Sequence, residues 1–164
     1  MKANIFVATL LLFCLACTSQ QGNQLTEQQK DQIKNQVKLV ADSIIIKAES
    51  GGSAWLQYYL DTPEMTFLNA DGSRWDFQTA KKASLDTSFV SWKWTSTRQE
   101  FPFITADLVV CAWEGKDEST MRSGDKITFD PHAYTMIFKK IAGQWKVVYS
   151  HDSGIPVSHK PGKK

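Results

Sequence analysis

The stretch AYTMIFKKIAGQWKVVYSHDSG, residues 133–154, decides the fold. It contains two runs in which apolar and polar residues alternate, and a period of two is typical of β-strands. Ala142 and Gly143 lie between the runs, where a glycine favours a tight turn. The stretch therefore predicts two antiparallel strands, over residues 127–140 and 144–152, that are joined by a short turn.

Side-chain alternation assigns a face to each residue of these strands. On the last strand it places four side chains on the more apolar face, which we expect to point inward: Trp145, Val147, Tyr149 and His151. The same rule predicts that Tyr134, Met136 and Phe138 point inward on the preceding strand. It predicts the same for Trp92 and Trp94 on an earlier strand.

Upstream of the strands, the sequence has helical periodicity. Thr26 and Gln29 have the spacing of a capping box, and the apolar residues that follow recur at the helical period up to Gly51-Gly52. A short second helix is predicted over residues 54–60. An Asp71-Gly72 pair between two short apolar runs indicates a β-hairpin, and a third helix is predicted over residues 78–90.

The remaining strands are predicted from alternation and from turn residues. Residues 91–101 alternate, and Pro102 is expected to end that strand. Residues 104–113 are apolar on both faces, as in a central strand, and the charged, glycine-containing residues 115–126 favour a loop. Because helices gather early and strands late, we predict one α+β domain in which the helices cover a face of a curved antiparallel sheet.

With this order of elements and its ending Gly143-Gln144-Trp145-Lys146…His151…Ser153, the chain resembles the nuclear transport factor 2-like superfamily, and most of all its SnoaL-like group. The resemblance covers residues 26–155. It implies a cystatin-like cone, a bent sheet wrapped around helices with a pocket at the wide end. Members include isomerases, dehydratases, cyclases, ligand binders and dimerisation modules, so the fold alone leaves the function open.

The resemblance and the inward faces together predict a ligand pocket that is lined by Trp55, Tyr59, Trp92, Trp94, Tyr134 and His151. A pocket rich in Trp and Tyr suits a small apolar or aromatic ligand. The alternative is that these aromatic rings fill the cone and leave no cavity.

Three residues are candidates for catalysis: His151, Asp107 and Tyr134. An inward histidine at a strand end could act as a general base, or it could be a rim histidine that is bonded to a backbone carbonyl. Asp107 lies near the start of a strand, where solvent would reach it. Cys111, between Val110 and Ala112, reads as a small buried hydrophobe.

No metal site and no cofactor are predicted, because His132, His151 and His159 share no metal-ligand spacing. The sequence Asp130-Pro131-His132 favours a turn. The chain has 19 basic and 17 acidic residues, and removal of the segment that contains Lys2 would leave 18 basic against 17 acidic residues. This near-neutral balance gives no nucleic-acid signal.

The N-terminus carries an apolar run of about a dozen residues after Lys2, which fits a signal peptide and is too short to span a bilayer. Small Ala16 precedes Cys17, as in bacterial lipoprotein signals. We therefore predict a signal peptide over residues 1–16, a lipidated Cys17 with a tether over residues 17–25, and a location in the bacterial cell envelope. A redox or metal role for Cys14-x-x-Cys17 is disfavoured, since cleavage would remove Cys14.

Two predictions concern the ends and the partners of the domain. Residues 156–164 are expected to form a basic, frayed tail. Because residues 104–113 are apolar on both faces, a homodimer through the outer face of the sheet is predicted. The function that we favour at this level is an envelope-anchored small-molecule-binding or interaction domain. The alternative is a SnoaL-like isomerase, cyclase or hydrolase, with His151 or Asp107 as base and Tyr134 or Tyr59 as donor.

Overall fold

The computed structural model describes residues 24–86 and 89–160, with the side chains of 158–160 left out. Two α-helices, α1 (Glu27–Glu49) and α2 (Phe77–Ser84), are separated by a 3₁₀ helix (Ala54–Tyr58). The six strands are β1 (Thr66–Leu68), β2 (Arg74–Trp75), β3 (Phe89–Ile104), β4 (Leu108–Met121), β5 (Lys126–Ile141) and β6 (Gln144–Lys160). The predicted signal peptide and Cys17 lie outside the described residues.

The strands form one sheet in the order β2-β1-β6-β5-β4-β3. All neighbours are antiparallel except β1 and β6, which run parallel. The predicted α+β class is confirmed, and the sheet is mixed rather than wholly antiparallel. Register shifts in the β3–β4, β4–β5 and β5–β6 pairs bend the long strands, because an extra residue on one strand kinks it.

Helix α1 begins as its sequence predicts. The Thr26 side chain accepts a hydrogen bond from the Gln29 backbone N–H, and the Gln29 side chain reaches back to the Thr26 backbone. Its apolar stripe buries Val37, Ala41 and Ile44 against the sheet, and Gly51 with φ +77° follows its end.

The core beneath the first half of α1 consists of hydrocarbon and aromatic side chains. Trp145 is 6% exposed, as its predicted inward face requires, and its Nε1–H donates to Gln36 Oε1 at 3.1 Å. Phe138, Val109 and Val147 are fully buried around it. We call this region the helix-covered end of the cone.

Pro102 does not end β3, which continues to Ile104. The reason is position, since β3 is an edge strand and a residue without an N–H is tolerated there. The β3–β4 register shifts between Glu100 and Phe103, next to this proline.

Three other predicted boundaries are wrong. Residues 115–121, expected in a loop, continue β4 because both β3 and β5 pair with them. Residues 156–160, expected in a frayed tail, extend β6 by pairing with β5. Helix α2 ends at Ser84 rather than at residue 90.

A register shift in β6 reverses the faces predicted for its second half. Phe138 pairs with Val147, but Ile137 pairs with Tyr149, so Val148 is an extra residue on β6. Beyond it, Ser150 is buried and Asp152 points to the inside of the sheet. Tyr149 and His151 therefore lie on the outer face, and the prediction that they point inward is wrong.

Candidate functional site

A buried histidine lies between two carboxylates on the inner face of the sheet. His132 on β5 has a side chain that is 3% exposed. Its Nδ1 lies 3.4 Å from Asp117 Oδ2 on β4, and its Nε2 lies 3.3 Å from Asp152 Oδ2 on β6. Three adjacent strands thus each contribute one titratable group to a single cluster, which we call the His132 cluster.

Asp117 is the more deeply buried of the two carboxylates. Its Oδ2 accepts a 2.6 Å hydrogen bond from Trp92 Nε1 and a 3.4 Å bond from the Tyr134 hydroxyl. Its Oδ1 accepts from the Ser119 hydroxyl at 3.3 Å. These donors satisfy a buried charge that would otherwise be costly.

Asp152 remains within reach of solvent, since its side chain is 20% exposed. Besides the contact with His132, its Oδ2 accepts a 3.2 Å hydrogen bond from the backbone N–H of Ala70. Ala70 belongs to the turn between β1 and β2, in which the Gly72 N–H donates to the Asn69 carbonyl. The hairpin therefore fixes one of the two carboxylates from outside the four long strands.

Glycines lie opposite the histidine on both neighbouring strands, and the one on β6 makes room for its ring. His132 pairs with Gly115 on β4 and with Gly154 on β6. A Cβ at Gly154 would lie 3.0 Å from His132 Cδ2, and one at Gly115 would overlap the Trp94 ring. The close packing of the cluster thus depends on two positions that lack a side chain.

Aromatic rings surround the histidine. Ring centroids lie 4.7 Å away for Tyr134, 5.3 Å for Phe129 and 5.8 Å for Trp94. Burial, and next the charge of Asp117, raise the pKa of Tyr134 well above its usual range, so its hydroxyl is a donor at neutral pH.

The electrostatics keep His132 charged. Burial lowers its pKa, but the two nearby carboxylates of Asp117 and Asp152 act in the opposite direction and together raise the pKa to about 9. The imidazole therefore carries a proton at neutral pH, and the cluster consists of one cation between two carboxylates.

Of the six residues predicted to line a pocket, three meet at this cluster: Trp92, Trp94 and Tyr134. Tyr59 borders it, because its hydroxyl interacts with Ser150 and Asp152. Burial raises the pKa of Tyr59, the hydrogen bond with Ser150 lowers it, and the charge of Asp152 raises it. Trp55 belongs to a separate aromatic group, at 5.1 Å from the Tyr59 ring and 5.9 Å from the Phe67 ring.

The structure does not bring the other candidates to the cluster. His151 alternates with Asp152 and pairs with Thr135, so it lies on the outer face of the sheet. Asp107 is exposed in the turn between β3 and β4, where it accepts from the Thr105 hydroxyl at 3.1 Å. Cys111 is fully buried as predicted, and burial raises the pKa of its thiol to about 12.

Sequence reasoning missed His132, Asp117 and Asp152. A signal for His132 was available, because the inward series Tyr134, Met136, Phe138 reaches it when extended back by one step of two. The same step along β4 from Cys111 and Trp113 leads to Gly115 and Asp117.

Among the residues that the structure describes, neither a metal-binding cluster nor one of the two cavities given below adds to this site. Within residues 24–86 and 89–160, no group of three His, Cys, Asp or Glu side chains is arranged to hold a metal ion. A cavity of about 510 Å³ lies between the 3₁₀ helix and α2, and one of about 420 Å³ lies between α1 and the end of β3. Neither is lined by His132.

Comparison with solved structures identifies the fold. An NTF2-like superfamily protein from Salmonella enterica serovar Typhimurium matches with a TM-score of 0.67 at 13% identity, over 78% of this chain and 94% of that one. A type 3 hexachlorocyclohexane dehydrochlorinase from Novosphingobium barchaimii matches with a TM-score of 0.65 at 11% identity, over 83% and 94%. An NTF2-like protein from Cytophaga hutchinsonii matches with a TM-score of 0.52 at 18% identity, over 80% and 100%.

No protein-family model and no curated protein matches the chain. The structural matches nevertheless confirm the predicted resemblance at the level of the fold: the protein has the NTF2-like cone. Enzymes occur among proteins of this fold, as the dehydrochlorinase shows, so the activity of this chain has to be argued from its own residues.

Proposed function

We propose that the domain binds a small organic ligand at the wide end of the cone, against the His132 cluster. By wide end we mean the end of the sheet at which α1 stops, where the Trp94 backbone N–H donates to Glu49 Oε1 at 3.0 Å. Strand β3 continues past this point to Phe89. Trp92 on this part of β3, Phe129 and Asp152 are each half-buried, and we place the ligand against them.

The observation that carries the proposal is the buried His132 ring, whose two nitrogens lie within 3.4 Å of two carboxylates. Removing such a set from water costs several kcal/mol per ion in order of magnitude, and a buried ion pair is weak evidence for stability. Titratable groups with perturbed pKa values that converge beside aromatic rings are typical of binding and catalytic sites. We therefore assign the cluster to ligand recognition.

Binding is favoured over catalysis by the state of the histidine. With a pKa of about 9, His132 is protonated at neutral pH and cannot accept a proton there. Its ring contacts the carboxylates of Asp117 and Asp152, so its role is to hold these two charges in place.

An acid-catalysed reaction is the second candidate function. The specific observation in its favour is that the His132 imidazolium and the Tyr134 hydroxyl, both proton donors, converge on Asp117 within 3.4 Å. In that case His132 would act as the general acid toward a bound substrate. The reaction class would be an elimination or isomerisation of a small organic molecule.

The proposal is tested by native mass spectrometry of the protein purified from its own host. We expect a co-purifying small molecule that is lost in Trp92→Ala, because Trp92 is half-buried and lies beside Asp117. Trp55→Ala is the matched control, since the Trp55 ring packs on Tyr59 and Phe67 rather than on His132, Asp117 or Asp152. A ligand retained equally by both variants would contradict the proposed site.

A lipid at Cys17 would hold this domain in the cell envelope. No helix in the described part of the chain is long and apolar enough to span a bilayer. The tether would enter at the start of α1, and 23 residues of helix separate that start from the wide end by roughly 35 Å. The site would then face away from the membrane.

The anchor is tested by intact-mass analysis of membrane fractions. We expect loss of residues 1–16 and the added mass of acyl chains. A soluble protein that retains Met1 would contradict the anchor and would leave the ligand site unaffected.

We further propose that two copies pair through the outer face of the sheet. Val110 on β4 pairs with Ile137 on β5, which pairs with Tyr149 on β6, and this row is only half-buried. The loop that could have covered it is absent, because residues 115–121 belong to β4. Sedimentation at micromolar concentration should show a dimer, and a strictly monomeric species would contradict it.

A further inference from the structure

We propose that the ligand of the His132 cluster is a small organic monocation that carries an aromatic or alkyl body. This inference rests on the proposed function and adds the charge of the ligand to it. The geometry that points to it is a net negative set of side chains in contact with aromatic rings.

The cluster has an excess of negative charge. Asp117 and Asp152 supply two negative charges and His132 supplies one positive charge, so the cluster carries a net charge of −1. The ionisable neighbours from the other elements add no positive charge: Tyr134 on β5, Tyr59 after the 3₁₀ helix and Glu49 at the end of α1.

Basic side chains on the same strands do not balance this charge. Lys93 alternates with Trp92 and Trp94, which places it on the outer face of β3. Lys116 alternates with Asp117 and forms a 2.9 Å ion pair with Glu118 on that outer face. The inner surface is therefore left with an excess of carboxylate, which favours a cation and repels an anion.

Aromatic rings lie beside the charged groups of the cluster. Trp94, Phe129 and Tyr134 have ring centroids within 5.8 Å of the His132 ring, and Trp92 donates to Asp117. The faces of such rings attract ammonium-type cations, Trp most strongly, and the attraction grows when water is excluded. An aromatic or alkyl body would pack against the same rings.

The cation would bind at Asp152. Asp152 is the more exposed of the two carboxylates, and its contacts with His132 and Ala70 both involve Oδ2. Neither contact uses Oδ1, and we therefore assign this oxygen to the cation. Phe129 on the neighbouring strand β5, and Trp92 on β3, are half-buried and so are partly open to a ligand.

The ionisation of His132 gives this site a distinctive pH response. When the imidazolium loses its proton, the net charge of the cluster changes from −1 to −2. A cation then binds more tightly, because a competing positive charge has left both carboxylates. An anionic ligand would show the opposite trend.

The test is a calorimetric titration of the full chain in a non-ionic detergent with three probes of similar size: benzyltrimethylammonium, benzyl alcohol and benzoate. At pH 7 we expect the cation to bind at least about tenfold more tightly than either other probe, as about 1.4 kcal/mol of charge and cation–π attraction would produce. Its affinity should rise between pH 7 and pH 9.5.

Asp152→Asn should weaken binding of the cation by about tenfold. Asp107 is an exposed carboxylate in the turn between β3 and β4, so Asp107→Asn should leave the affinity for the cation unchanged. The comparison of the three probes on the unaltered chain needs no variant, so it decides the matter even where Asp152→Asn fails to fold.

The outcomes separate the two proposals. Benzyl alcohol or benzoate binding as tightly as the cation, in a manner that Trp92→Ala abolishes, would overturn the inference and leave the proposed function intact. Binding of none of the three probes would overturn both.

Discussion

The two ends of the cone are built from different chemistry. At the helix-covered end, Trp145, Phe138 and Val37 are buried, and the polar N–H of Trp145 has a partner in Gln36. At the wide end, equally buried positions hold His132 and Asp117.

This contrast separates stability from function. Burial of hydrocarbon stabilises a fold at roughly 25 cal/mol per Å², whereas burial of charge does so weakly. The helix-covered end therefore supplies the stability that permits charged groups to be held at the wide end. Substitutions at the two ends should consequently differ in what they change.

The largest effect is expected at the helix-covered end. Trp145→Ala should lower the free energy of unfolding by about 3–5 kcal/mol, because it removes a buried aromatic ring and leaves a cavity. Chemical denaturation measures this, with Leu39→Ala on the exposed side of α1 as control. An unchanged midpoint for Trp145→Ala would contradict the inward face of β6 at this position.

The wide end should make stability depend on pH. The pKa of His132 is raised from 6.5 to about 9, so the protonated form is stabilised by folding. This contribution, about 3.5 kcal/mol at 1.4 kcal/mol per pKa unit, is fully present below pH 6.5. It is lost as the pH rises from there through about 9.

A matched variant isolates the histidine in that experiment. The pKa values of Tyr134 and Cys111 are also raised, so these groups too make the folded state less stable as the pH rises. The loss of unfolding free energy that His132 causes is therefore the difference between the pH dependence of the unaltered chain and that of His132→Gln. Denaturation curves at pH 6 and pH 9.5 that shift equally in both proteins would show that His132 is not held charged.

A smaller loss of stability is expected when one partner of the cluster becomes neutral. Asp117→Asn should cost about 1.5–3 kcal/mol, because hydrogen bonds from Trp92 and Tyr134 to a charged acceptor become bonds to a neutral one. Asp107→Asn, an exposed change of the same kind, should stay within about 0.5 kcal/mol. Equal midpoints for the two variants would contradict the buried ion pair.

The smallest effect is expected from the β1–β2 turn. Ala70→Pro removes the N–H that binds Asp152, while proline suits the second position of a turn closed by Asn69 and Gly72. We expect stability within about 1 kcal/mol of the unaltered chain and a lower His132 pKa, since Asp152 becomes free to turn toward solvent. Ala70→Ser keeps the N–H and should leave the pKa unchanged. A raised or unaltered pKa in Ala70→Pro would contradict the positioning role.

Elements with local signals could be predicted from the sequence. The capping box of Thr26 and Gln29, the Asp71-Gly72 hairpin and the inward Trp145 all depend on neighbours within a few residues, and all three are found. The candidate site depended on longer-range facts. Without knowledge of pairing, Pro102 indicated a strand end.

The cluster itself was hidden for two physical reasons. The extra residue Val148 exchanges the faces of β6, which turns Asp152 inward and His151 outward, and no local signal marks it. Charged residues around Asp117 favoured a loop, although pairing with both neighbours holds them in β4. Trp92, Trp94 and Tyr134, which lie before or between these irregularities, do face the cluster, and their role in a pocket stays a prediction.

The most direct test of the account is the ionisation of one side chain. An NMR titration of the His132 imidazole, assigned by its loss in His132→Gln, reports whether the wide end holds a charged histidine between two carboxylates. We predict a pKa of about 9, which falls in Asp117→Asn. A pKa at or below 6.5 would contradict the account, because burial would then outweigh both carboxylates and the cluster would carry a different charge.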